Sequence, residues 1–284
     1  PLSWQMPGAN TPLRLASGDA ARIVRIGQSM PKGPSSDANQ FPCVLHLKNG
    51  EIIPCQVLSY DQRTLGFESP FITQRTLDAQ YVKAIEFVPL KGRKVDVPMS
   101  KQTNAFRKSL LRPEKQTLLG VDPVKLKRAL TVPRFNRNSP PSHILVARNG
   151  DLKRGRLQGL SVQTIQFESK LRKQTVPVDR IARVVNVTRP EQEPNASPEA
   201  LIDSSDKVRA SLADGSILIF AAIESRDGEL IGRSDMYGDM AIPTDRILDL
   251  SMGGFEKELF KSLFEGWVVR PAQEPDFGSG QGNE

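Results

Sequence analysis

The sequence predicts an all-β chain of tandem small five-stranded barrels, with a short helix in the central linker and a C-terminal helix allowed. The first observation behind this is a repeat: VLHLKNGEIIPCQVLSYDQRTLGFES at 44–69, ILVARNGDLKRGRLQGLSVQTIQFES at 144–169 and RASLADGSILIFAAIESRDGELIGRS at 209–234 align without a gap. The second is a turn signal at one fixed place in each copy. Asn49-Gly50, Asn149-Gly150 and Asp214-Gly215 each divide two apolar-alternating runs. Such dipeptides favour a type I′ hairpin, whose two central residues both need positive φ. The third is composition, since 22 prolines and 21 glycines in 284 residues suit short strands and many turns.

Taken in order, residues 1–27 read as the C-terminal half of a truncated first repeat. Leu15 to Ile23 overlays Val176 to Val184, and Trp4 falls near the place of Phe67 and Phe167. The chain is thus expected to open inside a folded unit, whose exposed edge strand needs a partner or cover. Residues 28–40 are a polar loop. The second repeat spans 41–90, the third 141–188 and the fourth 204–254. Their barrel cores are predicted at Val44, Leu45, Leu47, Val57, Leu65 and Phe67, and at Leu145, Leu157, Ile165, Phe167 and Val176. The closing segments hold Asp179-Arg180 and Asp245-Arg246, expected as turns in which the Asp side chain satisfies local backbone N–H groups. The corresponding stretch of the second repeat, residues 77–85, lacks both the proline and the Asp-Arg pair.

The interruption at 91–140 is a basic linker. Within it, residues 122–130 offer Asp122 as N-cap, Pro123 at the first helical position and Lys127 and Arg128 near the end, which predicts a short helix. A second linker covers 189–203. Residues 255–284 are read as a terminal helix and a disordered tail. Leu259, Phe260, Leu263, Phe264 and Trp267 give 256–267 one apolar face, best placed against the last barrel.

The formal net charge is +7. Basic residues concentrate in 91–128 and again at Arg148, Lys153, Arg154, Arg156, Lys170 and Arg172, which together form the candidate binding surface. A solvated basic surface and a non-specific phosphate-binding surface both fit this pattern. The two cysteines, Cys43 and Cys55, flank the Asn49-Gly50 turn and come nearly opposite on paired strands. A disulfide and a pair of buried thiols are both compatible with that spacing. The histidines, His46 and His143, occupy different repeat positions and lack a ligand cluster, so no metal and no cofactor is expected. With no phosphate-binding glycine loop, GxSxG or HExxH, the sequence points away from an enzyme. It contains no apolar run long enough for a transmembrane helix.

The apolar strand, the Asn-Gly or Asp-Gly turn, a strand carrying Gly155 five residues on, a bent third strand and a closing Asp-Arg-Ile strand resemble the SH3-like or Sm-like barrel. The pattern resembles still more closely the tandem barrel repeats of large exported proteins of planctomycete-type bacteria. Leu130 to Phe135, Pro140 to His143, Arg148-Asn149-Gly150-Asp151 and Arg154-Gly155-Arg156-Leu157 carry that likeness. In some such proteins a stretch similar to Trp267-Val268-Val269-Arg270-Pro271-Ala272 precedes a thioredoxin-like domain. The resemblance implies a location outside the cytoplasm, in the periplasm or cell envelope, and partners among proteins or flanking domains of the same polypeptide. The uridine-reading element of Sm proteins is incomplete. Asp61 is kept, its asparagine is missing, and the third and fourth repeats have Ser161 and Arg226 at the aspartate position. A non-catalytic scaffold or interaction region is therefore expected. A nucleic-acid module and a carbohydrate or cell-envelope module are the alternatives.

Overall fold

The computed structural model describes residues 2–4, 13–15, 21–25, 41–87, 121–133, 140–189, 207–252 and 262–272. These residues are mostly β-strand, with one α-helix among them. Three short strands come first, β1 (Leu2–Trp4), β2 (Leu13–Leu15) and β3 (Ala21–Val24). The second repeat contributes β4 (Cys43–Leu47), β5 (Ile52–Asp61), β6 (Thr64–Glu68), β7 (Thr76–Asp78) and β8 (Val82–Phe87). Helix α1 (Pro123–Leu130) and β9 (Thr131–Val132) follow. The third repeat supplies β10 (His143–Ala147), β11 (Leu152–Ser161), β12 (Thr164–Ser169), β13 (Arg172–Pro177) and β14 (Ile181–Asn186). The fourth supplies β15 (Lys207–Leu212), β16 (Ile217–Arg226), β17 (Glu229–Ser234), β18 (Gly238–Pro243) and β19 (Ile247–Met252), and β20 (Arg270–Pro271) ends the described chain.

Each repeat pairs its five strands in one pattern. The first strand lies between the second and the fifth, the second also pairs with the third, and the third with the fourth. The long second strand serves two ladders. In β5, residues 52–55 face β4 and residues 56–60 face β6, with a register shift between Val57 and Ser59. The same shift recurs between Leu157 and Gly159 and between Ala222 and Glu224. A bulge bends the strand and increases its twist, so one strand can turn from one ladder into the other.

The repeated turns differ from expectation. At the Asn-Gly and Asp-Gly sites only Gly50, Gly150 and Gly215 take positive φ, at 86°, 85° and 85°. Leu47 N–H donates to Glu51 O and Gly50 N–H to Leu47 O, the pattern of a longer loop ending on a left-handed glycine rather than type I′. The preceding Asn or Asp serves through its side chain. Asn49 Oδ1, Asn149 Oδ1 and Asp214 Oδ1 each accept the N–H two residues on, at 3.3, 3.1 and 2.9 Å. Paired positive φ values occur instead at Lys170-Leu171 and Asp227-Gly228. The Asp-Arg pairs fall in 3-10 turns, Val178–Arg180 and Thr244–Arg246, but the N-cap residues Pro177 and Pro243 make no side-chain cap bond. The capping aspartate is instead Asp78, which stands at the place of Pro177 and Pro243 and accepts from Gln80 N–H at 2.9 Å. What the three turns share is the docking of the hairpin: Lys48, Arg148 and Ala213 N–H donate to Tyr81, Arg180 and Arg246 O.

The repeats do not stand as separate sheets. All of their strands and β3 join one 16-stranded network. Between the second and third repeats, β8 pairs antiparallel with β14 with Ile85 opposite Val184, and β5 pairs with β11 with Tyr60 opposite Leu160. Ile85 and Val184 occupy the same repeat position, as do Tyr60 and Leu160. Each residue faces its own equivalent, so the seam has the self-complementary form of a two-fold interface. The pairing of β3 with β19 repeats this arrangement, Ile23 facing Leu250.

The sheet buries two clusters. The larger contains Leu45, Leu47, Leu65 and Phe67 with Leu145, Ile165 and Phe167 of the third repeat and Ala210, Leu212 and Leu230 of the fourth. Every predicted core residue is buried except Val176, which is only half-buried. The second cluster lies over the seam between the second and third repeats and joins Ala84, Ile144, Val146 and Val185 to Val121, Val132, Phe264, Trp267 and Val269. Helix α1 forms as predicted, with Asp122 Oδ1 accepting from Val124 N–H at 2.7 Å. The terminal helix does not extend through its described part, since residues 263–266 are turn; residues 256–261 lie outside the described residues. Phe264 and Trp267 are buried against the seam and not against the fourth repeat, where they were expected. The parallel pairing of β20 with β9 and Val269 N–H donating to Val187 O hold this segment in place.

Candidate functional site

The predicted basic surface divides into three places. Arg148 belongs to the framework: its Nε donates to Asp179 O at 2.7 Å and its Nη2 crosses the seam to Phe87 O at 3.2 Å. Burial pulls its pKa down. Lys170 and Arg172 sit at the exposed β12–β13 turn, and Arg156 is exposed on β11. Lys153 and Arg154 come together with Lys125 and Arg128 of the predicted 91–128 stretch, and with Arg180 and an apolar wall that the surface prediction did not include.

Those two line a cleft of about 700 Å³ between α1 and the open end of the third repeat. Its apolar wall is Leu145, Ala147, Leu152, Val176, Ile181 and Ala129 of the helix. Around it stand Lys125, Arg128, Lys153, Arg154 and Arg180, with Asp151 as the one acidic lining residue. Lys125 Nζ is 3.7 Å from Asp151, both side chains more than half exposed, so this pair neutralises little. Lys153 Nζ bonds Gln174 Oε1, and Arg154 Nη1 donates to Thr131 O at 2.6 Å.

The alignment explains why this repeat is open where the second and fourth are filled. At the position of Ala147 the second and fourth repeats have Leu47 and Leu212, and at that of Lys153 they have Ile53 and Leu218, all fully or almost fully buried. Ala147 and Lys153 remove apolar volume from one end of a core that would otherwise close-pack. Leu77 and Ile242 are buried at the place where Val176 is left half-exposed. The gap-free alignment contained this signal. A strand position filled by leucine or isoleucine in two repeats becomes alanine and lysine in the third.

A second group of polar residues sits where the second and fourth repeats touch. The Glu51 carboxylate is buried and accepts from Asn49 Nδ2 at 2.8 Å, from Ile219 N–H at 2.6 Å and from the Tyr237 hydroxyl. Burial pushes its pKa up to about 7 against the pull of these donors and of Lys207. Glu51 follows a turn glycine, so by local pattern it reads as a solvated residue. Its role depends on the neighbouring repeat.

His46 and His143 stay apart. His46 Nε2 is 3.3 Å from Glu86 Oε2, and its ring packs edge-on to Phe264 at 5.0 Å. His143 Nδ1 lies 2.9 Å from Ser142 Oγ, and its ring meets Tyr60 at 6.3 Å across the seam. Among the described residues no three of His, Cys, Asp and Glu gather as a metal site would require. Cys43 and Cys55 face each other in register but are free buried thiols, not a disulfide. Among the same residues no helix is long and apolar enough to cross a membrane. No family model matches the chain, and no curated protein or solved structure matches it.

Proposed function

We propose that this chain is a non-catalytic scaffold, a protein-interaction region of a larger exported protein in which each five-strand repeat is a small SH3-like barrel. The observation that carries the reading is the seam, Val184 opposite Ile85 and Leu160 opposite Tyr60. Strand edges that would otherwise invite indiscriminate pairing are used to join one repeat to the next, which suits a rigid array that holds partner proteins or flanking domains at fixed spacing. Arg183 adds a bond across the same seam, its Nη2 at 2.7 Å from Glu86 Oε1. The test is calorimetry of the whole chain. One cooperative transition, lowered as a whole by Arg183→Ala, supports a rigid array. Independent melting of the repeats, with the variant affecting none of them, removes it.

A second reading, non-specific binding of nucleic acid, is favoured by the exposed Lys170, Arg172 and Lys173 at the β12–β13 turn. Fluorescence anisotropy with single-stranded RNA and duplex DNA at about 50 and 200 mM salt decides it, because phosphate contacts weaken steeply over that range. Binding that survives only at low salt supports this reading. No binding at either salt leaves the scaffold alone.

A further inference from the structure

We infer that the cleft in the third repeat is a binding site for a small amphipathic anion, an apolar body carrying a carboxylate. The argument begins with what is missing from the core. The second and fourth repeats close the same end with Leu47 and Ile53 or with Leu212 and Leu218, while the third has Ala147 and Lys153. An end left open in this way exposes apolar wall to water, which is unfavourable unless something covers it. The resulting volume, about 700 Å³, is in the range of small-molecule sites.

The chemistry of the rim selects the charge. Five cationic side chains and one carboxylate line the cleft. Lys125 is the cation close to that carboxylate, while Arg128 and Arg180 make no ion pair among the described residues. Cations gathered around a low-dielectric wall repel one another and attract an anion. Lys153 stands at a core position of the barrel pattern and lines the cleft, with its Nζ on Gln174 Oε1, so an incoming carboxylate can take this ammonium while its hydrocarbon part rests on the half-buried Ala147, Leu152 and Val176. A polyanion such as a nucleic-acid strand would use the rim and leave the apolar wall bare. A neutral lipid would use the wall and leave the cations unpaired.

The site goes beyond the scaffold reading and is separable from it, because it is built within one repeat and leaves the seam untouched. The probe is decanoate below its micellar concentration, titrated calorimetrically into the whole chain. Acetate and decanol serve as controls for the charge and for the apolar body. Saturable one-to-one binding of decanoate, with both controls at least about tenfold weaker, is expected. Refilling the end with the second repeat's own residues, Ala147→Leu with Lys153→Ile, should weaken decanoate by at least about tenfold and leave the melting temperature unchanged or higher. Should that variant fail to fold, Arg128→Gln with Arg180→Gln decides, since both side chains are at the cleft rim; a similar loss of affinity at unchanged melting temperature is expected. Absence of decanoate binding, decanol binding as tightly as decanoate, or undiminished affinity in the folded variant would overturn the assignment.

Discussion

The ring of Phe167 lies against the Cα of Gly155, so that a Cβ at that glycine would stand 2.6 Å from the ring and 2.1 Å from the Glu168 carbonyl oxygen. In the fourth repeat the partners are exchanged. Phe220 takes the position of Gly155, Gly232 takes that of Phe167, and a Cβ on Gly232 would come 2.2 Å from the Phe220 ring. One aromatic ring and one missing side chain thus fill the same space from opposite strands. The exchange accounts for an aligned position that is phenylalanine in the second and third repeats and glycine in the fourth.

Gly155→Ala is therefore expected to destabilise the chain by about 1–3 kcal/mol through overpacking. Phe167→Ala should cost about 3–5 kcal/mol by leaving a cavity. The double variant should be no more stable than Phe167→Ala alone, because the carbonyl at 2.1 Å remains after the ring is gone. Urea unfolding measures all three. A loss below about 1 kcal/mol for Phe167→Ala would remove that residue from the core.

The interior of each repeat was legible in the sequence because its determinants are local. Alternation placed Leu45, Leu65 and Phe67 inside, and Asp122 followed by Pro123 placed the helix start. The wrong turn type has an equally local cause. Asn-Gly permits positive φ at both residues, but the Asn49 side chain accepts Glu51 N–H and the loop closes one residue longer. Associations between repeats were not legible, since nothing within a strand such as residues 82–87 says which edge it will meet. The amphipathic spacing of Phe264 and Trp267 correctly marked them as buried. Their position against the second core depends on the β8–β14 seam, and residues 263–266 form a turn rather than the helix inferred from that spacing. The cleft falls between these cases: its missing leucine and isoleucine were visible in the alignment, whereas α1 beside it was not placed by any local signal.

The cysteines give a chemical test of the paired register. Burial pushes the Cys43 thiol up to about 11 and holds the Cys55 thiol well above its ordinary value. Because the thiolate is the reactive form, neither residue should be alkylated in the native chain at neutral pH, and both should react once it is unfolded. Counting thiols with and without denaturant checks this. Fewer than two thiols after unfolding without reductant would reveal a disulfide.

Glu51 and Tyr237 link the second and fourth repeats. Tyr237→Phe removes one donor from a buried carboxyl group and is expected to cost about 1–3 kcal/mol. The carboxyl group titrates near 4.5 when unfolded and near 7 when folded, so the folded chain holds the extra proton between these values. Its contribution is present at acid pH and declines as pH rises through 7. The penalty of Tyr237→Phe should grow over the same interval, because the ionised group then lacks that donor. In a Glu51→Gln background that growth of the Tyr237→Phe penalty should vanish, read as the difference between urea midpoints with and without Tyr237→Phe at about pH 5 and pH 8.

His143 produces the opposite slope. Burial, with the charges of Lys48 and Lys83, lowers its pKa from 6.5 to about 4. Between those values the unfolded chain binds the proton and the folded chain does not, so stability falls as pH drops through the window. Where the two windows overlap, from 4.5 to 6.5, the gain from Glu51 on acidification offsets the loss from His143. The native chain should then show a nearly flat profile there. His143→Gln should unmask a rise in stability toward acid pH, and Glu51→Gln a fall. Urea midpoints in steps of about half a pH unit test both. If His143→Gln leaves the profile flat while Glu51→Gln steepens it, the offset comes from another group and His143 is charged within the seam.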